Sequence, residues 1–373
     1  MRNIPLSCPE IGEEEKNAVC KVLDSGWLTH GAKTREFEEI FSEYLGVKHA
    51  VAMNSCTSAL FLVLLANDIR GEVILPSMTF VASANAVLTA GATPRFCEVE
   101  RSSCNASAKT IEPLINSRTE AVMVIHYAGQ CCAMDEIKDL CAKHNLLLIE
   151  DSAQTIGGKY RGNYSGSWGS ACWSFFPTKN ITTGEGGMLT TNDTELADKV
   201  RCLVGHGIKA TNKERRGLEQ PWKREALLPG FNFRMSNILA AIGIEQMKKL
   251  DLLNQQRRAL SQQMIEELKD CELIQLPIEE SEAFHVYQMF TIKVDKKRRD
   301  SCVNYLRSYG IGASVHFDPP VHLQSCYKEY VSNPLPVTEN LAKELVTIPN
   351  YPSMTSSDAT YISDTLKTWL RHL

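Results

Sequence analysis

The segment "FFPTKNITTGEGG", residues 175–187, isolates one lysine, Lys179, between an aromatic pair and a run of small and polar residues. A lysine stripped of water by apolar neighbours favours the free amine, which attacks carbonyl carbon. The same residue also reads as a surface lysine in a turn, where most lysines sit. Asp151 follows the apolar run "LLLIE" in "EDSAQ", where a strand-end carboxylate either points into a cleft or caps the next helix. In "VAMNSCTSALFLVLLA" a strand gives way to a helix at Asn54-Ser55. The first amides of that helix, with the Thr57 and Ser58 hydroxyls, suit a phosphate or an ordinary Ser/Thr cap. Each feature alone has a structural explanation. Together, an amine, a strand-end carboxylate and a phosphate cradle are what pyridoxal phosphate needs for its aldehyde, ring nitrogen and phosphate. Phe80, in "PSMTFVASANAV", offers a flat face to that ring or a side chain to the core.

The elements that must position these residues follow an alternating pattern. Apolar runs at 49–53, 72–76, 93–99, 120–126 and 145–151 read as strands, with helix-length segments "SALFLVLLAND", "ASANAVLTAG" and "DEIKDLCAKHN" between them. Such alternation predicts βα units around a mostly parallel sheet, with ligands gathered at the carboxyl ends of its strands. From Ser236, a candidate N-cap, a long stretch with apolar residues three and four apart predicts one extended helix leaving the large unit. Beyond it, strand-like 285–294 and 313–317 and helix-like 298–310 predict a smaller α/β module. The expected division is residues 1–250 for the N-terminal segment and large domain, and 251–373 for the small C-terminal domain.

Forty basic against forty-four acidic side chains, a formal charge of −4, argue against a dedicated nucleic-acid binder. Thirteen cysteines are scattered, odd in number and without a Cys-x-x-Cys pair, so reduced thiols in a cytoplasmic protein are expected rather than a metal site or a disulfide framework. No apolar stretch reaches the roughly 18 residues of a membrane span, and no membrane association is expected.

The chain also resembles the DegT/StrS-type sugar aminotransferases nearly end to end. The resemblance is carried by "IPLSCPEIGEEEKNAVCKVLDSGWLTHG", "NSCTSAL", "PSMTFVASANAVLTAGATPRFCEV", "IHYAGQ", "IEDSAQTIGG", "SFFPTKNITTGEGGML", "GFNFRMSNILAAIGIEQMKKLD" and "IPNYPSMT". It implies the pyridoxal-phosphate-dependent transferase fold type I, aspartate-aminotransferase-like, with a large mostly parallel sheet domain and a smaller α/β C-terminal domain. Lys179 becomes the lysine that carries the cofactor and Asp151 the partner of its ring nitrogen. Gln154 would meet the ring hydroxyl, Phe80 would stack on the ring, and Cys56, Thr57 and Ser174 would hold the phosphate. Asn232 matches an asparagine that reaches the neighbouring subunit's cofactor phosphate, which implies a homodimer with shared sites.

The implied reaction is a ping-pong transamination from an amino acid, with glutamate as the expected donor, to a nucleotide-linked keto-sugar in surface polysaccharide biosynthesis. A UDP- or dTDP-4-keto-6-deoxyhexose is the leading acceptor; C3 keto-sugars and cyclitol ketones share the cofactor motifs. A sugar dehydratase and a non-catalytic ligand sensor are weaker alternatives, because the lysine is retained. Trp27, Gly31, Trp222 and His316 are the candidate substrate-binding residues. Three positions depart from the family pattern: Cys56 where glycine or alanine is common, Phe176 where many members have histidine, and Asn237 in place of an acidic residue.

Overall fold

The computed structural model describes residues 2–208, 222 and 225–372. Helices α1 (Glu13–Ser25) and α2 (Ala32–Leu45) precede strand β1 (His49–Met53), followed by α3 (Cys56–Ala66), β2 (Glu72–Pro76), α4 (Val81–Thr89) and β3 (Thr93–Cys97). A short α5 (Ala108–Ile111), β4 (Thr119–Ile125), α6 (Met134–His144) and β5 (Leu147–Asp151) come next. A hairpin of β6 (Lys159–Tyr160) and β7 (Asn163–Tyr164) leads into β8 (Ser170–Ser174), β9 (Gly187–Thr191) and α7 (Thr194–Val204). The C-terminal part holds α8 (Asn237–Leu268), β10 (Ala283–Phe284), β11 (Phe290–Lys293), α9 (Arg299–Ser308), α10 (Pro336–Glu344), β12 (Leu345–Ile348) and α11 (Ser356–Arg371).

Seven strands form the main sheet in the order β1-β9-β8-β5-β4-β2-β3. Only β9 runs against its neighbours, β1 and β8; the remaining pairs are parallel, so the expected mostly parallel α/β sheet is present. The strands read as near-continuous apolar runs because helices cover both faces of a parallel sheet. Helix α3 is apolar almost all round for the same reason: Leu60, Leu62, Val63 and Leu64 are all buried within one core. Its start is set by Ser55, whose side chain accepts from the Ser58 amide at 3.1 Å.

Ser236 caps α8, its hydroxyl accepting from Leu239 N at 3.3 Å. The first half of α8 packs Ala240, Ile244, Leu250 and Leu253 against β8 and α2 residues, while Leu260, Met264 and Leu268 belong to a second core with β11, β12, α9 and α11. Ile4, distant in sequence, joins that second core, and its amide donates to Gly310 O at 2.9 Å. Two strand-like stretches are shorter than their pattern suggests. Residues 285–294 form a strand only over Phe290–Lys293, because Tyr287 has a φ of 43° that breaks the extended chain. Residues 313–317 contribute a single bridge, Ser314 to Thr347, before Phe317 turns with a φ of 62°.

Candidate active site

Strand β8 ends at Ser174 and the chain loops before returning as β9. Backbone bonds close the loop: Phe175 N to Gly186 O at 3.0 Å, Thr183 N to Phe175 O at 2.9 Å and Lys179 N to Phe176 O at 2.9 Å. Gly184 supplies the turn with a φ of 85°, which a side chain rarely adopts. At Gly187 the reason for glycine is different, because a Cβ would collide with the Ser55 carbonyl and the Cys56 amide at the start of α3. Lys179 is half-buried in the resulting cleft. Burial depresses the basicity of its amine, partly opposed by the charge of Asp151, and no carboxylate among the described residues lies within ion-pair distance.

Asp151 closes β5, level with Ile125 of β4. Its carboxylate accepts from the Ser83 hydroxyl at 2.8 Å and the Ala153 amide at 3.2 Å. Burial raises its pKa, against the pull of those two bonds and then of Lys179. A buried carboxylate held by two neutral donors and no close cation suits the N–H of a pyridinium ring, so the site's chemistry fits pyridoxal phosphate. Ser83 in turn accepts from Thr79 across 2.8 Å, since its own proton goes to Asp151. Both residues escaped the sequence reading. The available signal was their position just after β2 in "PSMTFVASAN", one helical turn apart.

Gln154 accepts the Ala128 amide at 2.7 Å, which leaves its side-chain N–H groups as donors. Below it lies a structural pair in which His126 Nδ1 accepts from Cys132 N at 3.2 Å and its Nε2 donates to Glu150 at 3.0 Å. Glu150 also accepts three amides, from Gly166, Trp168 and Gly169, at 2.7–2.9 Å. This network fixes the end of β5 from behind.

At the other end of the cleft, the first turn of α3 leaves the Cys56 and Thr57 amides without a carbonyl four residues back. The exposed Thr57 and the buried Ser174 flank that anion-attracting end. The Cys56 thiol is buried and pushed far up in pKa, so this departure from the family pattern offers only its backbone. Phe80 stands at the start of α4 with 64% of its surface exposed, as a stacking face rather than a core residue. Cys56, Thr57, Phe80, Asp151, Gln154, Ser174, Lys179 and His316 therefore line one cavity of about 490 Å³. Phe176, another departure, lines it too. His316 Nδ1 lies 2.7 Å from Thr347 Oγ1, and burial, reinforced by the Lys179 charge, holds the imidazole toward its neutral form.

The remaining sequence candidates do not reach this cavity within one chain. Trp27 and Gly31 line a second, larger cavity of about 1330 Å³ with Lys33, Arg35, Arg201 and Arg234. Asn232 bridges to Gly205 in an extended segment, and Trp222 is 74% exposed. Asn237 acts as an acceptor: its Oδ1 accepts from Thr34 N and Oγ1, both at 3.2 Å. Its amide adds a donor, to Trp27 O at 3.1 Å, and so ties the 27–34 segment to the start of α8.

The glycine contact carries a prediction. Gly187→Ala should push the first turn of α3 off the β9 backbone, lowering stability by about 1–3 kcal/mol and weakening cofactor retention. Thermal unfolding and a pyridoxal phosphate titration would measure both. Unchanged affinity would mean that the cradle does not depend on this contact.

Comparison with known proteins identifies the family of the chain. The spore coat polysaccharide biosynthesis protein SpsC of Bacillus subtilis (strain 168) is 37% identical over 366 residues, 95% of this chain and 94% of that protein. The Streptococcus pneumoniae protein Spr1654, solved in pyridoxal and pyridoxamine phosphate forms, superposes with TM-scores of 0.92 and 0.94 at 26% identity, covering at least 99% of both chains. DesI, solved with its TDP-sugar product, matches at 28% identity and a TM-score of 0.89, over 99% of this chain and 93% of its own. Among the described residues no helix is long and apolar enough to cross a membrane. With its family model matched over residues 9–367, the chain belongs to the DegT/DnrJ/EryC1/StrS aminotransferase family, whose members are pyridoxal-phosphate-dependent sugar aminotransferases of fold type I.

Proposed function

We propose that this enzyme transfers the amino group of glutamate to a UDP- or dTDP-linked 4-keto-6-deoxyhexose, in amino-sugar synthesis for a surface polysaccharide. The observation that carries the proposal is that Lys179, Asp151 and the first turn of α3 line one cavity. Bound pyridoxal phosphate supplies an aldehyde that takes up the amino group and a ring that absorbs electrons.

The protein's residues do the rest. Asp151 would keep a positive charge on the ring nitrogen, Gln154 would donate to the ring hydroxyl, and Phe80 would offer its ring as a stacking face. The Cys56 and Thr57 amides and the Thr57 and Ser174 hydroxyls would hold the phosphate. Lys179 Nζ, its basicity depressed by burial, would take the proton from the donor's α-carbon and deliver it to the cofactor's former aldehyde carbon, and in the second half-reaction would move a proton the opposite way, from that carbon to the sugar's former carbonyl carbon. His316, held toward its neutral form by burial and hydrogen-bonded through Nδ1 to Thr347, would meet the sugar.

A homodimer with shared sites is part of the proposal. Among the described residues lining the site cavity Lys179 is the sole lysine or arginine, and Glu185 adds a negative charge. A nucleotide diphosphate, or the carboxylates of glutamate, must then find cations elsewhere. The larger cavity with Arg35, Arg201 and Arg234 offers them from a second copy, alongside Trp27 and Gly31. Asn232 of that copy would complete the phosphate cradle.

Loading the enzyme with pyridoxamine phosphate and offering a panel of nucleotide keto-sugars tests the acceptor. The pyridoxal absorbance should return with UDP- or dTDP-4-keto-6-deoxyhexoses, and NMR of the product should place the amine on C4. Return of the band only with 3-keto-sugars or cyclitol ketones would replace this assignment. Mixing Lys179→Ala and Asn232→Ala subunits tests the sharing, because hybrids should regain one intact site. Hybrids no more active than the two parents would refute it.

A further inference from the structure

Arg257 is a guanidinium with 3% of its surface exposed, inside α8. No carboxylate among the described residues pairs with it, and burial alone depresses its pKa to about 10. Its two terminal nitrogens donate to backbone carbonyls instead: to Asn350 O at 2.6 Å and, at the longer distance of 3.4 Å, to Lys179 O. Its Nε has no partner among the described atoms. A buried unpaired cation is poor value for stability, since an apolar side chain of similar volume is often neutral or better.

The neighbours of Arg257 along α8 share its target. Asn254 Oδ1 accepts from the Asn180 side chain at 2.7 Å while its amide donates to Ile156 O at 3.0 Å. Gln246 Oε1 accepts from Thr182 N at 3.2 Å, and its amide donates to Glu10 O and Glu15. Ser261, four residues beyond Arg257, accepts from the Asn350 side chain at 3.1 Å. At 3.6 residues per turn, positions 246, 254, 257 and 261 fall on one face of the helix. From outside the helix, Gln288 donates to Thr178 O at 2.8 Å. The loop that carries Lys179 is thus gripped at residues 178, 179, 180 and 182 by polar side chains from elsewhere in the fold. Among the described residues Arg257 joins it to Asn350, which lines the site from the C-terminal core.

We infer that Gln246, Asn254 and Arg257 are positioning residues for the aminotransferase reaction, with Arg257 holding the Lys179 backbone at a set distance from the Asn350 wall of the cavity. The inference rests on Lys179 being the cofactor lysine. An amine that must reach both a cofactor and a donor's α-carbon tolerates little displacement of its backbone, and about 1 Å of misplacement can cost on the order of 100-fold in rate. A guanidinium bridging two carbonyls restrains both at once.

Arg257→Met, Arg257→Lys and Asn254→Leu, as holoenzymes, give the test. Arg257→Met should melt no lower than wild type yet turn over about 10- to 100-fold more slowly, with KM for the amino donor changed less than threefold. Arg257→Lys should recover part of the rate, and Asn254→Leu should lower kcat in the same sense. Borohydride trapping with peptide mapping identifies the lysine that carries the cofactor in each protein. Trapping of wild type at a lysine other than Lys179 would defeat the underlying reading. Trapping at Lys179 with wild-type turnover in Arg257→Met would defeat the positioning role alone. A variant with a lower melting temperature and unchanged turnover per folded molecule would make Arg257 merely structural. If Arg257→Met does not fold, the rates of Arg257→Lys and Asn254→Leu decide: wild-type kcat in both overturns the inference.

Discussion

Lys179→Ala should lower the rate of each half-reaction by at least about 10³-fold, because proton transfer by a positioned base is worth about 10²–10⁴ and covalent capture of the cofactor is lost as well. The cofactor should still bind, since the first turn of α3, Ser174 and Asp151 are untouched. Stopped-flow absorbance with glutamate reads the rate, and equilibrium dialysis reads the binding. The expected pairing is a nearly silent enzyme that still holds pyridoxal phosphate. The other titratable lining residues are committed elsewhere or open to solvent: His316 is engaged through Nδ1 with Thr347, Asp151 faces the ring nitrogen in the proposed arrangement, and Glu185 is exposed. Turnover within tenfold of wild type would therefore overturn the assignment of Lys179 as the proton carrier.

Asp151→Asn removes charge with almost no change of shape. A carboxylate facing a ring cation at about 4 Å in a protein interior of effective dielectric near 20 contributes about 4 kcal/mol, or about 10³ in rate if it acts in the transition state. The variant should lose turnover by that order, and its resting spectrum should shift toward an unprotonated ring nitrogen. The pH dependence of cofactor binding gives a second reading. Burial raises the Asp151 pKa, so in the cofactor-free protein the carboxylate is present above that raised value and is neutralised as pH falls through it. Affinity should decline with acid sooner than for an ordinary aspartate near 3.9. Asp151→Asn should abolish that decline, and a variant with wild-type turnover and pH profile would show that Asp151 does not govern the ring nitrogen.

Much of this site was legible because it depends on short-range chemistry. Asp151 lies at a strand end, Cys56 and Thr57 open an apolar helix behind a serine cap, and Lys179 sits in a segment no helix would choose. Ser83 and Thr79 were hidden because Ser83 touches Asp151 from 68 positions away in the chain, through the β2–α4 turn, and Thr79 acts only through Ser83. Gln246, Asn254 and Arg257 were hidden differently. Along α8 they read as the wetted side of an amphipathic helix, yet that side faces the lysine loop and is buried.

The sequence by itself determined the alternating strands and helices of the βα units, where α3 and α8 begin, and which residue types stand at the strand ends, but not where the strands of the C-terminal part stop. These follow from side-chain period, capping and backbone freedom, which are settled among near neighbours. Only the tertiary structure decided that β5 lies between β4 and β8, so that Asp151 comes beside the lysine loop. It also decided that Gly187 must stay bare beneath α3, and that Trp27 and Asn232 do not line their own chain's cavity. Strand order and helix packing are set by how whole faces bury one another, and that is not encoded in any one stretch of residues.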